Sequence, residues 1–161
     1  MTSTASAANP DRPQPRPDAV QVHRTGTRRY VATNGHGGRV EIGGEEVEGV
    51  FSPGELLAIA LGACNVMSAD FPLSRRIGEE FDAGVTVRRT KLAAENRYTA
   101  MDVQLRLGAE FADRLTELEP VVRRAVERGC TVGRTLEAGL TDTLTLSTDG
   151  GPDADRSDHE G

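Results

Sequence analysis

The sequence is poor in aromatic residues and cysteine, and its 19 basic residues are outnumbered by 25 acidic ones. Four Phe, two Tyr and no Trp serve a chain of 161 residues, so its core is expected to be aliphatic. The net charge is −6, which argues against nucleic acid or an anionic membrane as a partner. No run approaches the roughly 18 consecutive apolar residues that a membrane span requires, and the N-terminus has no apolar stretch typical of a secretion signal. The sequence therefore predicts a cytoplasmic protein.

The only two cysteines are Cys64 and Cys130. Cytoplasmic thiols are kept reduced, so such a pair is more often catalytic, metal-binding or simply buried than a structural disulfide. Two cysteines without further ligands nearby do not indicate a zinc site, and the sequence implies no cofactor. Free cysteine is also among the most buried residue types, so inert packing is the alternative interpretation.

The two ends of the chain differ in composition from its middle. Residues 1–19 carry four prolines among Ser, Ala and Asp, and residues 149–161 are rich in Asp and Gly. Neither segment can bury enough apolar surface to offset the entropy of ordering it. We expect both segments to be disordered and residues 20–148 to form one folded domain.

Strand patterns precede a long apolar helix in the first half of that domain. Short β-type runs at 28–35 and 37–51 predict a meander of two or three strands. Ser52-Pro53 then predicts a helix start, and the following residues are apolar on nearly every face, which is typical of a buried central helix. A break is expected at Pro72, with a second helical piece after it.

The second half of the domain also combines strand patterns with a helix pattern. Residues 84–93 and 97–111 alternate apolar and polar side chains and predict an antiparallel hairpin. Helical spacing from Pro120 ends at Gly129, and residues 141–148 are expected to form a last strand. The sequence therefore predicts an α+β fold in which antiparallel sheets pack around a long, buried central helix.

Two segments surround the cysteines: FSPGELLAIALGACNVMSADF contains Cys64, and AVERGCTVGRTLEAG contains Cys130. Both segments resemble the OsmC/Ohr family, the osmotically inducible and organic hydroperoxide resistance proteins. The separation of the two cysteines, 130 − 64 = 66 residues, is also close to that of the family. The resemblance covers residues 20–148 and implies an intertwined two-fold homodimer.

The resemblance further implies a thiol peroxidase that reduces organic hydroperoxides. Cys64 would attack the peroxide and become a sulfenic acid, and Cys130 would condense with it to a disulfide. A dithiol, either a small thiol or a lipoyl-type protein, would then reduce the enzyme. The alternatives are a small-ligand-binding or redox-sensing protein on the same fold, or a structural protein with two core thiols.

A nucleophilic Cys64 needs an activator, because burial raises the pKa of a thiol; a cation or oriented hydrogen-bond donors can lower it. In the family the cation is an arginine held by a glutamate. Aligned on the glycines, that arginine position falls on His36, and Arg39 takes a second position. The glutamate position is Gly54, with Glu55 one residue later. The alternative candidates for this cation are Arg28 and Arg29.

Overall fold

A computed structural model describes residues 19–146, which form two compact units, one up to Leu57 and one from Ala58. The segments expected to be disordered, 1–19 and 149–161, lie outside the described residues except for Ala19. The elements in chain order are β1 (Gln21–Gly26), β2 (Arg29–Thr33), β3 (Arg39–Gly43), α1 (Pro53–Ile77), β4 (Ala83–Leu92), β5 (Arg97–Leu107), α2 (Leu115–Gly129) and α3 (Thr131–Ala138).

The first unit contains a three-stranded antiparallel sheet in the order β1-β2-β3. The meander is confirmed for β2 and β3, which lie within the predicted runs, whereas β1 lies before both runs and was not predicted. β2 is the central strand, with Val31 opposite His23 on one side and Glu41 on the other. After β3 the chain returns, and the N–H of Gly43 donates to the carbonyl of Phe51 at 3.0 Å. This pairing fixes where the chain leaves the sheet to start α1.

α1 begins at Pro53, as the Ser52-Pro53 pair predicts. The backbone N–H and the hydroxyl of Ser52 each donate to the Glu55 carboxylate at 2.8 Å. The N–H of Glu55 donates in return to Ser52 Oγ at 3.3 Å. This reciprocal pair is a capping box, which satisfies backbone donors that a helix start otherwise leaves without partners.

α1 continues through Pro72 to Ile77, so the predicted break at this proline is wrong. Proline inside a helix costs about 3 kcal/mol, because it removes a backbone hydrogen bond and crowds the preceding turn. Ala69 and Leu73, which flank it, are fully buried and pack with Leu118 of α2. Burial of these apolar side chains offsets the cost, so tertiary packing overrides the local signal.

Only part of α1 is buried by this chain. The buried positions are Ala58, Leu61, Gly62, Ala69 and Leu73. Met67 and Phe71 are 72% and 74% exposed, so the expectation of a helix buried all round is wrong for the single chain. By length and composition α1 could cross a membrane, with a mean hydropathy of 1.6 over its most apolar window. A core helix passes the same test, so one such helix is weak evidence of a membrane span; 28% of this window is buried in the single chain.

β4 and β5 form the predicted antiparallel hairpin in the second unit. Val85 lies opposite Leu105, and Val87 lies opposite Val103. α1 contacts β4 closely at Gly62, where an added Cβ would come within 2.9 Å of Val87 Cγ2. A glycine at this position therefore lets the helix approach the strand.

The end of the described chain differs from the prediction. α2 starts at Leu115, before Pro120, and α3 was not anticipated. Residues 141–146 have no regular structure, so the predicted last strand is wrong for this part of the segment. Leu144 and Leu146 are 96% and 97% exposed. An alternating pattern forms a strand only where a neighbouring strand supplies backbone hydrogen bonds, and none pairs with it among the described residues.

Candidate functional site: two thiols at the start of α3

The two cysteines lie in the second unit on different helices. Cys64 is near the middle of α1, and Cys130 lies between α2 and α3. Cys130 has an extended backbone (φ −76°, ψ 93°) and is the N-cap of α3, where its Sγ accepts a hydrogen bond from the N–H of Gly133 at 3.2 Å. Sulfur thus takes the place of the oxygen that usually caps a helix. Both thiols are free.

Two glycines flank Cys130 where the chain is crowded. A Cβ added at Gly129 would lie 3.2 Å from Ser68 Oγ on α1. A Cβ added at Gly133 would lie 3.2 Å from Cys130 Sγ and 3.7 Å from Leu61 Cδ1. Glycines at these positions keep space for the first turn of α3 to approach the thiols and α1.

The surroundings of the Cys64 thiol favour its ionisation. Its pKa lies below the ordinary thiol value, chiefly because the backbone N–H of Val132 donates to it. Burial opposes this effect, while the Cys130 side chain and the N–H of Thr131 lower the pKa further, with a smaller contribution from Ser68. Each of these groups is a neutral donor, and the two N–H groups belong to the first turn of α3, where a helix favours negative charge.

The pKa of the Cys130 thiol is displaced in the opposite direction. Burial raises its pKa, and the hydrogen bond to Cys64 raises it further. The N–H of Gly133 acts against both. Cys130 is only 2% exposed, whereas Cys64 is half-buried. These two directions favour Cys64 as the group that accepts the hydrogen bond and Cys130 as the group that keeps its proton.

Two polar side chains of α1 complete the cluster, and the sequence analysis did not identify them. Ser68 donates to the carbonyl of Cys64 at 2.6 Å, one helical turn away. A hydroxyl carries one proton, so this short bond leaves little of it for the Cys64 sulfur. Asn65 donates to the carbonyl of Leu61 at 2.8 Å and to Cys130 Sγ at 3.4 Å. The spacing of Ser68, four residues after Cys64 on a helix, was an available signal, whereas Asn65 directly follows Cys64 and its spacing gives no such signal.

The other predicted site residues belong to the first unit. His36 is exposed in the turn between β2 and β3, where its backbone N–H donates to Asn34 Oδ1 at 2.9 Å. Arg39 is the exposed first residue of β3 and forms an ion pair with Glu41 at 3.2 Å. Glu55 caps α1. The structure thus brings the two cysteines together, and the roles of His36, Arg39 and Glu55 stay predictions.

The two further arginines named as activators lie where β1 joins β2. Arg28 has a left-handed backbone (φ 53°) and is ion-paired with Glu46. Arg29 is the exposed first residue of β2 and lies opposite Gly43. The charge of Arg28 is therefore already partnered within its own unit.

A cavity of about 450 Å³ lies elsewhere in the second unit, between the end of β5 and α2. Its apolar lining includes Leu105, Leu107, Leu115, Leu118 and Val122. Neither cysteine lines it, so it is separate from the thiol pair. Among residues 19–146, no group of three or more His, Cys, Asp or Glu side chains is arranged to hold a metal ion.

Residues 44–145 match the family described as OsmC-like protein, and the chain belongs to this family. Uncharacterized proteins of Mycobacterium bovis and Mycobacterium tuberculosis are each 46% identical over 127 residues, covering 78% of this chain and 93% of the relative. The resemblance inferred from the two cysteine segments is thereby confirmed.

Solved structures share the fold at low sequence identity. A Psychrobacter arcticus protein, described as an osmotic stress induced and detoxification response protein, has a TM-score of 0.60 at 18% identity and covers 76% of this chain and 89% of its own. An OsmC-like protein from Mycoplasma pneumoniae has a TM-score of 0.57 at 14% identity, covering 77% and 89%. These similarities confirm the α+β fold with antiparallel sheets and a central helix.

Proposed function

We propose that this protein is a thiol-dependent peroxidase that reduces organic hydroperoxides with Cys64 as nucleophile and Cys130 as resolving thiol. The observation that carries the proposal is the pairing of the two thiols beside the first turn of α3, of which Cys130 is the N-cap; the displacement of their pKa values in opposite directions supports it. A peroxidatic cysteine must be a thiolate, since the thiol itself is a poor nucleophile. The pair at the start of α3 meets this requirement with neutral donors.

The reaction proceeds in two balanced steps. The Cys64 thiolate attacks the terminal peroxide oxygen, an S–O bond forms, the O–O bond breaks, and the alkoxide leaves and takes up a proton to become an alcohol. Cys130 then loses its proton and attacks the Cys64 sulfur, so that an S–S bond forms, the S–O bond breaks, and water leaves. An external dithiol reduces the disulfide, being either a small thiol or a lipoyl-type protein of the cytoplasm.

The family resemblance and the exposed side of α1 support a homodimer. Apolar side chains of this helix remain in solvent in the single chain, at Leu57, Ile59, Met67 and Phe71. A two-fold pairing would cover them and is the commonest form of assembly. In the intertwined dimer proposed here, an activating side chain from residues 28–39 reaches Cys64 of the second copy.

Sedimentation at micromolar concentration tests this assembly. We expect a dimer for the wild type and a weakened dimer for Phe71→Ser, because Phe71 is 74% exposed in the single chain. The matched control is Phe51→Ser, a 47% exposed phenylalanine outside α1. A stable, fully active monomer would rule the dimer out.

A second candidate function is binding of a small apolar ligand, with the thiols in a redox-sensing role. The observation that favours it is the apolar cavity between β5 and α2, which is large enough for a small ligand and separate from the cysteines. In this case the protein would oxidise slowly and would bind its ligand in either redox state.

The experiment that separates the two candidates is a thiol count after addition of one equivalent of cumene hydroperoxide to the reduced protein. We expect both thiols to be lost within seconds, with one alcohol formed per chain. Hydrogen peroxide serves as the polar comparison and is expected to react more slowly, because the approach to Cys64 along α1 is apolar. Loss of thiols only over hours contradicts the peroxidase proposal.

A further inference from the structure

Asn65 contacts the resolving thiol from a helix that does not carry it. Its side-chain Nδ2 lies 3.4 Å from Cys130 Sγ, a separation of 65 residues along the chain. The same nitrogen lies 2.8 Å from the carbonyl oxygen of Leu61. Asn65 is therefore the side chain of α1 that bridges its own helix and the N-cap of α3.

The two contacts fix how the amide is oriented. A backbone carbonyl only accepts hydrogen bonds, so the amide NH₂ rather than its oxygen must face Leu61. The two amide protons are then divided between the carbonyl and the sulfur. The bond to the preceding turn holds the side chain in place before any reaction occurs, so the N–H directed at Cys130 Sγ needs no rearrangement.

The resolving step makes a specific demand on Cys130. This thiol is buried, and burial raises its pKa, but it must become a thiolate to attack the sulfenic acid. In the reduced protein its proton is donated to Cys64. Once Cys64 carries oxygen, that acceptor no longer exists. The donors that then face Cys130 Sγ are the N–H of Gly133 at 3.2 Å, the N–H of Val132 and the side-chain amide of Asn65.

We propose that Asn65 stabilises the Cys130 thiolate during disulfide formation and thereby speeds the second step without speeding the first. In this step Cys130 gives its proton to solvent, its sulfur bonds to Cys64, and the departing hydroxide becomes water. The inference rests on the proposed peroxidase function and adds a residue for the resolving step. The Asn65 amide would act as a neutral hydrogen-bond donor to the Cys130 thiolate, which exists only during the resolving step.

The direct test is single-turnover oxidation of the full chain, with the two steps measured separately. Peroxide loss reports the first step, and quenching with an alkylating agent reports the second as the conversion of sulfenic acid to disulfide. Asn65→Leu and Asn65→Ala remove the donor, and Asn65→Gln retains one. The matched control is Ser74→Ala, which removes a side-chain bond to a carbonyl of α1, Asp70 O at 3.0 Å, without touching a sulfur.

We expect disulfide formation to be about threefold to tenfold slower in Asn65→Leu and Asn65→Ala, the scale of one hydrogen bond, with the first step within about twofold of wild type. Disulfide formation should also reach its plateau at a higher pH, and Asn65→Gln should recover part of the rate. Ser74→Ala should match wild type. If both donor-free variants form the disulfide at the wild-type rate and with the wild-type pH profile, the proposal is overturned.

A second measurement keeps the inference independent of peroxidase activity. In a Cys64→Ser chain, ultraviolet absorbance of the thiolate reports the ionisation of Cys130 directly. Adding Asn65→Leu to this chain should move that ionisation to higher pH, while adding Ser74→Ala should not. An unmoved titration refutes the role of Asn65 even if the wild-type protein is an active peroxidase. A moved titration, combined with a wild-type protein that consumes no hydroperoxide, refutes only the peroxidase function.

Discussion

The surroundings of the two sulfur atoms differ although the atoms are hydrogen-bonded to each other. Cys64 is half-buried in the middle of α1 and accepts N–H groups from the first turn of α3. Cys130 is buried at the N-cap of the same helix and donates its proton to Cys64. One helix start thus favours a thiolate at one cysteine, while burial and the neighbouring sulfur keep the other protonated.

Among residues 19–146, no cation is one of the groups that lower the pKa of Cys64 within the single chain. The groups that lower it are backbone N–H donors, a thiol and a hydroxyl. Such donors are fixed by the fold, whereas the charge of an imidazole depends on pH. A charged side chain such as Arg39 would then act on the peroxide or on the transition state rather than on thiolate formation.

The largest expected effect comes from removing one sulfur or the other. Cys64→Ser should abolish rapid peroxide consumption, because the hydroxyl is not ionised at neutral pH. Cys130→Ser should consume one equivalent and stop at a sulfenic acid, since no second thiol resolves it. Mass spectrometry after dimedone labelling distinguishes the two. If Cys130→Ser reacts no faster than Cys64→Ser, the assignment of roles is wrong.

The pH dependence should differ between the two steps. The first step needs the Cys64 thiolate, so its rate should rise about tenfold per pH unit below the Cys64 pKa and level off below the ordinary thiol value near 8.5. The stabilisation linked to this lowered pKa is present above the ordinary value and is lost as pH falls through the lowered one. Single-turnover rates across pH check this, and a first step still rising above pH 9 contradicts it.

A smaller effect is expected from Ser68→Ala. Its hydroxyl is committed mainly to the Cys64 carbonyl at 2.6 Å and contributes least among the groups that lower the Cys64 pKa. We expect the first step at neutral pH to slow by no more than about threefold, within the range of one neutral hydrogen bond. A loss of two orders of magnitude would mean that Ser68, rather than the first turn of α3, provides most of the activation.

The smallest expected effect is on the ionisation of Cys64 in His36→Ala and Arg39→Ala. The groups that set this ionisation lie at Ser68 and at residues 130–132, so neither variant should move the thiolate titration. The rate of peroxide reduction is a separate readout. A titration that moves to higher pH in Arg39→Ala would show that this arginine activates the thiol, whereas an unchanged titration with a slower rate would place it at the peroxide.

Part of the fold could be predicted from local patterns. The meander of β2 and β3, the capping of α1 at Ser52 and the β4–β5 hairpin were all confirmed, because strand alternation and capping residues act within a few neighbours. The break at Pro72 and the strand at 141–148 were predicted by equally local rules and were wrong, the latter where the segment is described. In both cases the outcome depends on a distant partner. Leu118 is that partner for α1, whereas no strand within residues 19–146 pairs with residues 141–146.

The sequence by itself determined the family and the α+β class, and it identified the two cysteines as the candidate functional residues, because short motifs and their order can be recognised along the chain. Only the tertiary structure decided which thiol is the acid and which side chains touch it. Val132, Asn65 and Ser68 act through distances and directions that arise when α1 and α3 pack against each other. A thiol pKa depends on donors within a few ångströms, and sequence spacing does not fix those contacts.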